Sequence, residues 1–241
     1  MPVIVPDATA AHDVVAPPPA SVAARMLQDL SDLASRPARP RLAVLTFDDG
    51  PYPVTTPVLL EQLRALDVPA VFFLIGNDAV RQPAISAAVT AAGIEIGNHS
   101  LSHPEMSTLA FTAQSAEIDD GATAIHTAAG VSPHYFRPPH GNFDADTITA
   151  ARTSGEIVAL WDVDPGDWRT MTPAEIVANV TNNAKAPAVI LLHNGKEATI
   201  EALPLIVQAY RNAGFTFVTL SELQRRVPLE VINDPVAVDV P

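Results

Sequence analysis

Arg41-Leu42-Ala43-Val44-Leu45-Thr46-Phe47-Asp48-Asp49-Gly50-Pro51 sets a nearly unbroken apolar run directly against two acids and a turn. Residues 42–47 are apolar at odd and even positions alike, which reads as a strand covered on both faces. Asp-Gly-Pro is good turn chemistry and accounts for Gly50 and Pro51. It does not account for two carboxylates behind a buried strand. Adjacent like charges there are costly unless a cation neutralises one and the other is used as a base.

Runs of the same kind recur at 70–75, 94–97, 135–137, 157–161, 188–192 and 215–220. Helical patterns lie between several of them. Thr172-Pro173-Ala174-Glu175 is a capping box with proline at the first helical position. Gly93, Gly130 and Gly214 follow the ends of expected helices, where a left-handed C-cap is wanted. Strands buried on both faces and separated by helices predict a parallel sheet. About seven such units over 41–227 predict a single α/β domain, an irregular (β/α) barrel. Residues 1–40 read as an Ala-, Pro- and Val-rich arm containing Pro17-Pro18-Pro19, then a short helix over 21–35 stopped by Pro37 and Pro40. Residues 228–241 read as an extended tail.

Composition narrows the function. Of 241 residues, 48% are hydrophobic, enough for a substantial core, and only 17% are charged. A net charge of −13 argues against a nucleic-acid partner, which needs clustered Lys and Arg. The absence of cysteine excludes disulfides and thiolate ligands. No run reaches the length of a membrane helix. Residues 1–19 have neither a basic n-region nor a continuous apolar block, so no signal peptide is expected there.

The reactive-looking residues follow the expected strands: Asp48-Asp49-Gly50 the first, Asn98-His99-Ser100 the third, and Arg137-Pro138-Pro139-His140-Gly141 the fourth. Residues 162–168 follow the fifth and His193 the sixth. In a parallel barrel these strand ends converge on one face, where active sites are built. His99 and His103, four apart, would share one side of a helical turn at metal-ligand spacing, although Pro104 shortens any such turn. With a carboxylate from another strand end they make a set used by catalytic zinc and also by non-haem Fe(II). His193 can donate a proton near neutral pH, with Asp167 to orient it and raise its pKa. Arg137 can hold a carboxylate such as Asp48. His12, His126 and His134 read as structural.

These stretches resemble the polysaccharide deacetylase family, the NodB homology domain of carbohydrate esterase family 4. Thr46-Phe47-Asp48-Asp49-Gly50, His99-Ser100-Leu101-Ser102-His103, Arg137-Pro138-Pro139-His140-Gly141, Asp164-Pro165-Gly166-Asp167-Trp168 and Leu191-Leu192-His193 resemble its five motifs. The resemblance implies Asp48 as catalytic base and Asp49, His99 and His103 as metal ligands. It implies Arg137 as the residue positioning the base, and the backbone N–H of His140 as an oxyanion donor. It implies Asp167 as the residue tuning the acid His193, and Trp168 as a wall of the substrate groove. His140 stands where an aromatic is usual, and Asn194 where Asp is common.

The activity so implied is metal-assisted de-N-acetylation of N-acetylglucosamine units in chitin oligosaccharides or peptidoglycan. One divalent ion is implied, zinc foremost, with cobalt, nickel or manganese as alternatives. Acetylxylan esterase and cytosolic hydrolysis of a small amide are the competing readings. The expected partner is an acetylated carbohydrate, with Trp168, Tyr52 and Phe143 offering ring faces. A monomer in the cell envelope or outside the cell is expected, with the cytoplasm as the alternative.

Overall fold

The computed structural model describes residues 40–227. The helix expected at 21–35, the tail at 228–241 and His12 lie outside the described residues. Seven strands form where the apolar runs stand: β1 Leu42–Asp48, β2 Ala70–Leu74, β3 Glu95–Asn98, β4 Tyr135–Phe136, β5 Ile157–Val158, β6 Ala188–His193 and β7 Thr216–Phe217. Their order is β5-β4-β3-β2-β1-β6, with β7 on the first two residues of β1, and every pairing is parallel.

The chain leaving β5 shows that this sheet is curled. Val163 forms a parallel bridge with Ile190 of β6, and Leu191 N–H donates to the Val163 carbonyl at 2.9 Å. Laid flat, the sheet would place that contact six strand spacings from β5, about 29 Å away. The five residues from Val158 to Val163 span at most about 18 Å. The two ends of the sheet must therefore curve towards each other, giving the irregular (β/α) barrel. Asp162 helps close it, its Oδ2 accepting from Val189 N–H at 3.0 Å.

Helices α1 Thr55–Leu66, α2 Gly76–Arg81, α3 Pro83–Ala91, α4 Phe111–Ala129, α5 Ala145–Thr153, α6 Pro173–Asn182, α7 Glu197–Asn212 and α8 Leu220–Arg226 complete the described residues. Alternation along each strand divides two layers. Ala43, Leu45 and Phe47 of β1, Phe72 and Leu74 of β2, and Ile190 and Leu192 of β6 pack with Leu59, Leu63, Val89, Ile125, Ile176, Leu203 and Ile206 of the helices. Leu42, Val44, Val71, Phe73 and Val189 face the other way and pack with Leu220 and Leu223. The capping box of α6 is present, with Thr172 accepting from Glu175 N–H and the Glu175 carboxylate reaching back. Gly93, Gly130 and Gly214 all have φ between 74° and 78°.

Candidate active site

Strand parity places the first two groups. Leu42 and Val44 face the barrel interior, so Thr46 and Asp48, two and four residues further, face it too. Across the sheet, Asp48 pairs with His193 and Thr46 with Leu191. Acid and imidazole thus leave adjacent strands side by side on one face.

Arg137, immediately after β4, is fully buried in the same interior. Its Nη1 donates to Asp48 Oδ1 and to Thr46 Oγ1, both at 2.7 Å. Nε and Nη2 donate to the carbonyls of Ala159 and Leu160 at 3.0 and 3.1 Å. The guanidinium lies 4.0 Å above the Phe73 ring. Phe73 in turn lies on Gly97, where a Cβ would come within 2.4 Å of the ring. Glycine is required there by close approach. Thr46 donates onward to the Ile190 carbonyl at 2.7 Å, so the Arg137–Asp48 pair is tied through Thr46 to β6.

Asp49, His99 and His103 come together: one ligand atom from each lies within 4.8 Å of the others. Asp49 Oδ1 is 3.8 Å from His99 Nε2 and 3.4 Å from His103 Nε2. His99 Nδ1 lies 2.7 Å from the Arg137 carbonyl, which only accepts, so Nδ1 carries the proton and the Nε2 lone pair points at the cluster. Burial, helped by the neighbouring His99 and His140, pushes the His103 pKa down to about 4, leaving its imidazole neutral. Burial raises Asp49, against the pull of His99 and His193. The neutral His103, the His99 Nε2 aimed at the cluster and a carboxylate whose burial is costly without a cation fit a divalent ion.

The helical turn expected for His99–His103 does not form. Ser100 and His103 both have φ of 66°, in the left-handed region. Ser100 Oγ accepts from His103 N–H at 2.9 Å, and Ser102 is tied to Glu117 of α4 through N–H and Oγ at 2.8 and 2.7 Å. Pro104 explains the outcome, since it disfavours helical backbone at His103. Non-glycine positive φ among the described residues is confined to Asp49, Asp67, Ser100, His103 and His140. Asp67 is a helix C-cap; the other four surround the cluster, and backbone held in this region concentrates at functional sites.

His193 Nδ1 is 2.7 Å from Asp167 Oδ1, and Asp167 Oδ2 accepts from His193 N–H at 2.8 Å. Burial alone would lower the imidazole pKa. The hydrogen bond and charge of Asp167, with the charges of Asp48 and Asp49, outweigh it and hold His193 above its ordinary value. His140 packs edge-on against His103, ring centroids 4.5 Å apart, with φ of 60°. Trp168 is 49% exposed, with Arg169 stacked on it at 4.4 Å. Tyr52 is taken up in packing over Gly195, and burial followed by Asp49 and Asp78 pushes its pKa up to about 12.

Asp48, Asp49, His99, His103, Arg137, His140, Asp167 and His193 are therefore linked at this mouth, whereas His126 lies in α4 and His134 meets Tyr135 edge-on before β4. Asp162 does not join the site, because it closes the sheet. Sequence reading missed Thr199, buried and bonded to Asp167 at 2.7 Å, and the buried pair Asn98–Glu156, joined at 3.1 Å. Glu156 carries no motif. Thr46 was missed as well, although strand parity, which sets it two residues before Asp48 on the same face, could have found it.

A curled parallel barrel bearing paired carboxylates, two histidines and an oriented imidazole at its strand ends defines a (β/α)-barrel hydrolase. The polysaccharide deacetylase family model matches residues 35–156. The chain is 35% identical over 194 residues to a peptidoglycan-N-acetylglucosamine deacetylase of Bacillus cereus, covering 78% of this chain and 91% of that one. It is 33% identical over 184 residues to the peptidoglycan-N-acetylmuramic acid deacetylase PdaC of Bacillus subtilis, covering 76% of this chain but spanning only 39% of that protein's length. The family 4 carbohydrate esterase of Streptomyces lividans, solved with acetate, superposes with a TM-score of 0.70 at 34% identity, over 76% of this chain and 93% of that one. This chain belongs to the polysaccharide deacetylase family.

Proposed function

We propose that the chain is a metal-dependent carbohydrate de-N-acetylase that releases acetate from N-acetylglucosamine units of peptidoglycan or chitin oligosaccharides. The observation that carries this reading is the presence of Asp48, held by Arg137, and His193, held by Asp167, at the strand ends beside Asp49, His99 and His103. The two curated relatives support peptidoglycan as the leading substrate, and the acetate in the esterase structure supports acyl hydrolysis.

Asp49, His99 and His103 would hold the ion, which when bound supplies Lewis acidity and lowers the pKa of water. Asp48 takes the proton of the attacking water, its carboxylate fixed by Arg137, whose Nη1 is held in turn by Thr46. The His140 N–H stabilises the charge developing on the acetyl oxygen. His193 protonates the departing amine; its raised pKa favours the acid form, and Asp167 fixes the ring. Trp168 presents the ring face opposite Arg169 to a sugar. Peptidoglycan lies outside the cell membrane, so this reading places the protein in the envelope. Among the described residues no helix is long and apolar enough to cross a membrane.

The test is acetate release from peptidoglycan, chitooligosaccharides and acetylxylan side by side, after chelation and after return of zinc, cobalt, nickel or manganese. Release from an N-acetylated substrate that stops on chelation and returns with metal is expected. Acetate from acetylxylan alone would move the assignment to an ester, and metal-independent release would overturn the ligand set.

A further inference from the structure

Asp167 is oriented by more than the histidine it faces. Its carboxylate is buried, and its two oxygens are used differently. Oδ1 lies 2.7 Å from His193 Nδ1. Oδ2 accepts twice, from His193 N–H at 2.8 Å and from Thr199 Oγ1 at 2.7 Å. Thr199 is the third residue of α7 and is itself fully buried. A hydroxyl facing a carboxylate must donate, so the direction of this bond is unambiguous. Its place in the first turn of α7 also turns the positive end of the helix dipole towards the anion.

From this geometry we infer that Thr199 is a positioning residue for proton donation by His193, acting through Asp167. The inference rests on the reading of His193 as the acid. Two donors on Oδ2 pin the carboxylate plane and reserve Oδ1 for the imidazole. Nδ1 then keeps its proton, and Nε2 is the nitrogen that exchanges one with the leaving amine. With the hydroxyl gone, one donor remains on Oδ2, the carboxylate can turn about its own axis, and the ring loses its single orientation. The hydroxyl and the acid both belong to the unit β6–α7, six residues apart, so α7 sets the direction of the proton without touching substrate.

The experiment compares Thr199→Val, which keeps the shape and removes the donor, with Thr199→Ser, which keeps the donor. Two readouts are taken on zinc-loaded protein: kcat and KM for acetate release from a chitooligosaccharide, and, on the alkaline side of its titration where the imidazole is neutral, the tautomer of His193 from its side-chain 15N shifts. Loss of a supporting hydrogen bond of this kind typically costs about 10- to 100-fold, so Thr199→Val should lower kcat by at least about tenfold with KM nearly unchanged. Its His193 signals should move from a single Nδ1–H tautomer to a mixture, while Thr199→Ser keeps both readouts near wild type. Wild-type kcat and tautomer in Thr199→Val would overturn the inference, as would equal impairment of a folded Thr199→Ser. Should Thr199→Val fail to fold, the wild-type spectrum still decides: an Nε2–H tautomer overturns the inference and an Nδ1–H tautomer with an active Thr199→Ser supports it. A wild-type chain that releases no acetate would sink the deacetylase reading, while the tautomer measurements still judge Thr199.

Discussion

At the scale of single residues, the site works by giving each charged group defined partners. Asp48 and Asp49 are neighbours in sequence, yet only Asp48 meets Arg137 and only Asp49 meets His103, while His99 lies within 3.8 Å of both. Asp48→Asn keeps the shape of the side chain and removes its basicity. It should lower kcat by roughly 10²–10⁴-fold, with zinc still bound stoichiometrically by elemental analysis. Near-normal turnover in that variant would refute Asp48 as the base. The same change leaves the Arg137 charge buried without a counter-charge, so stability should fall by about 3 kcal/mol in urea unfolding. His193 offers a second check, through pH. Its folded pKa is raised, so the acid form persists to higher pH than in a free imidazole and activity is lost on the alkaline side. Asp167→Asn removes the hydrogen bond and charge that raise it and leaves the burial that lowers it. The alkaline limb of the kcat profile should therefore move to lower pH; an unmoved or upward-moved limb would contradict the pairing.

Among the elements, the strands do the placing and the loops after them do the aiming. β1 and β6 set Asp48 opposite His193 by register alone. β3 contributes through an absence: Gly97 leaves room for Phe73, and Phe73 supports the Arg137 guanidinium. Gly97→Ala should cost about 1–3 kcal/mol, the usual penalty of overpacking, and should also lower kcat as Arg137 is displaced from Asp48. Urea unfolding and acetate release on one preparation check both; if neither changes, Phe73 has room that the packing denies. The loop after β3 shows the aiming. Ser100 and His103 hold left-handed backbone because Glu117 of α4, through its carbonyl and carboxylate, and the first residues of α2 anchor the loop on two sides. Gly121 of α4 makes that docking close, since a Cβ there would lie 2.7 Å from Asn98 Oδ1.

The whole molecule carries one further titration. Glu156, before β5, lies against Asn98 of β3, 58 residues away, so it reports on the assembly of sheet and α4 rather than on one element. Burial pushes its pKa up from 4.5 to about 8, with the Asn98 bond pulling down and Asp119 pushing up. The folded state then holds a proton that the unfolded state releases near pH 4.5. Stability from this group is complete below pH 4.5 and is lost as pH rises towards 8. Glu156→Gln removes that slope and should be more stable than wild type at pH 8, relative to pH 4, by on the order of 3 kcal/mol. Parallel stability curves for the two proteins would show Glu156 ionised in the fold. The seven strands, the capping box and the clusters at the strand ends were legible in sequence, because period, turn residues and caps act over a few neighbours. Asp48, Asp49, His99, His103, Arg137, Asp167 and His193 were found for that reason: each follows a strand that announces itself. The left-handed loop, the closure of the sheet through Val163 and the partners Thr199 and Glu156 were decided only by tertiary structure. Arg137 and Asp48 are 89 residues apart, and Thr199 and Asp167 are 32 apart. Such pairs meet only because the sheet curls, and burial then removes the water that would otherwise serve each of them.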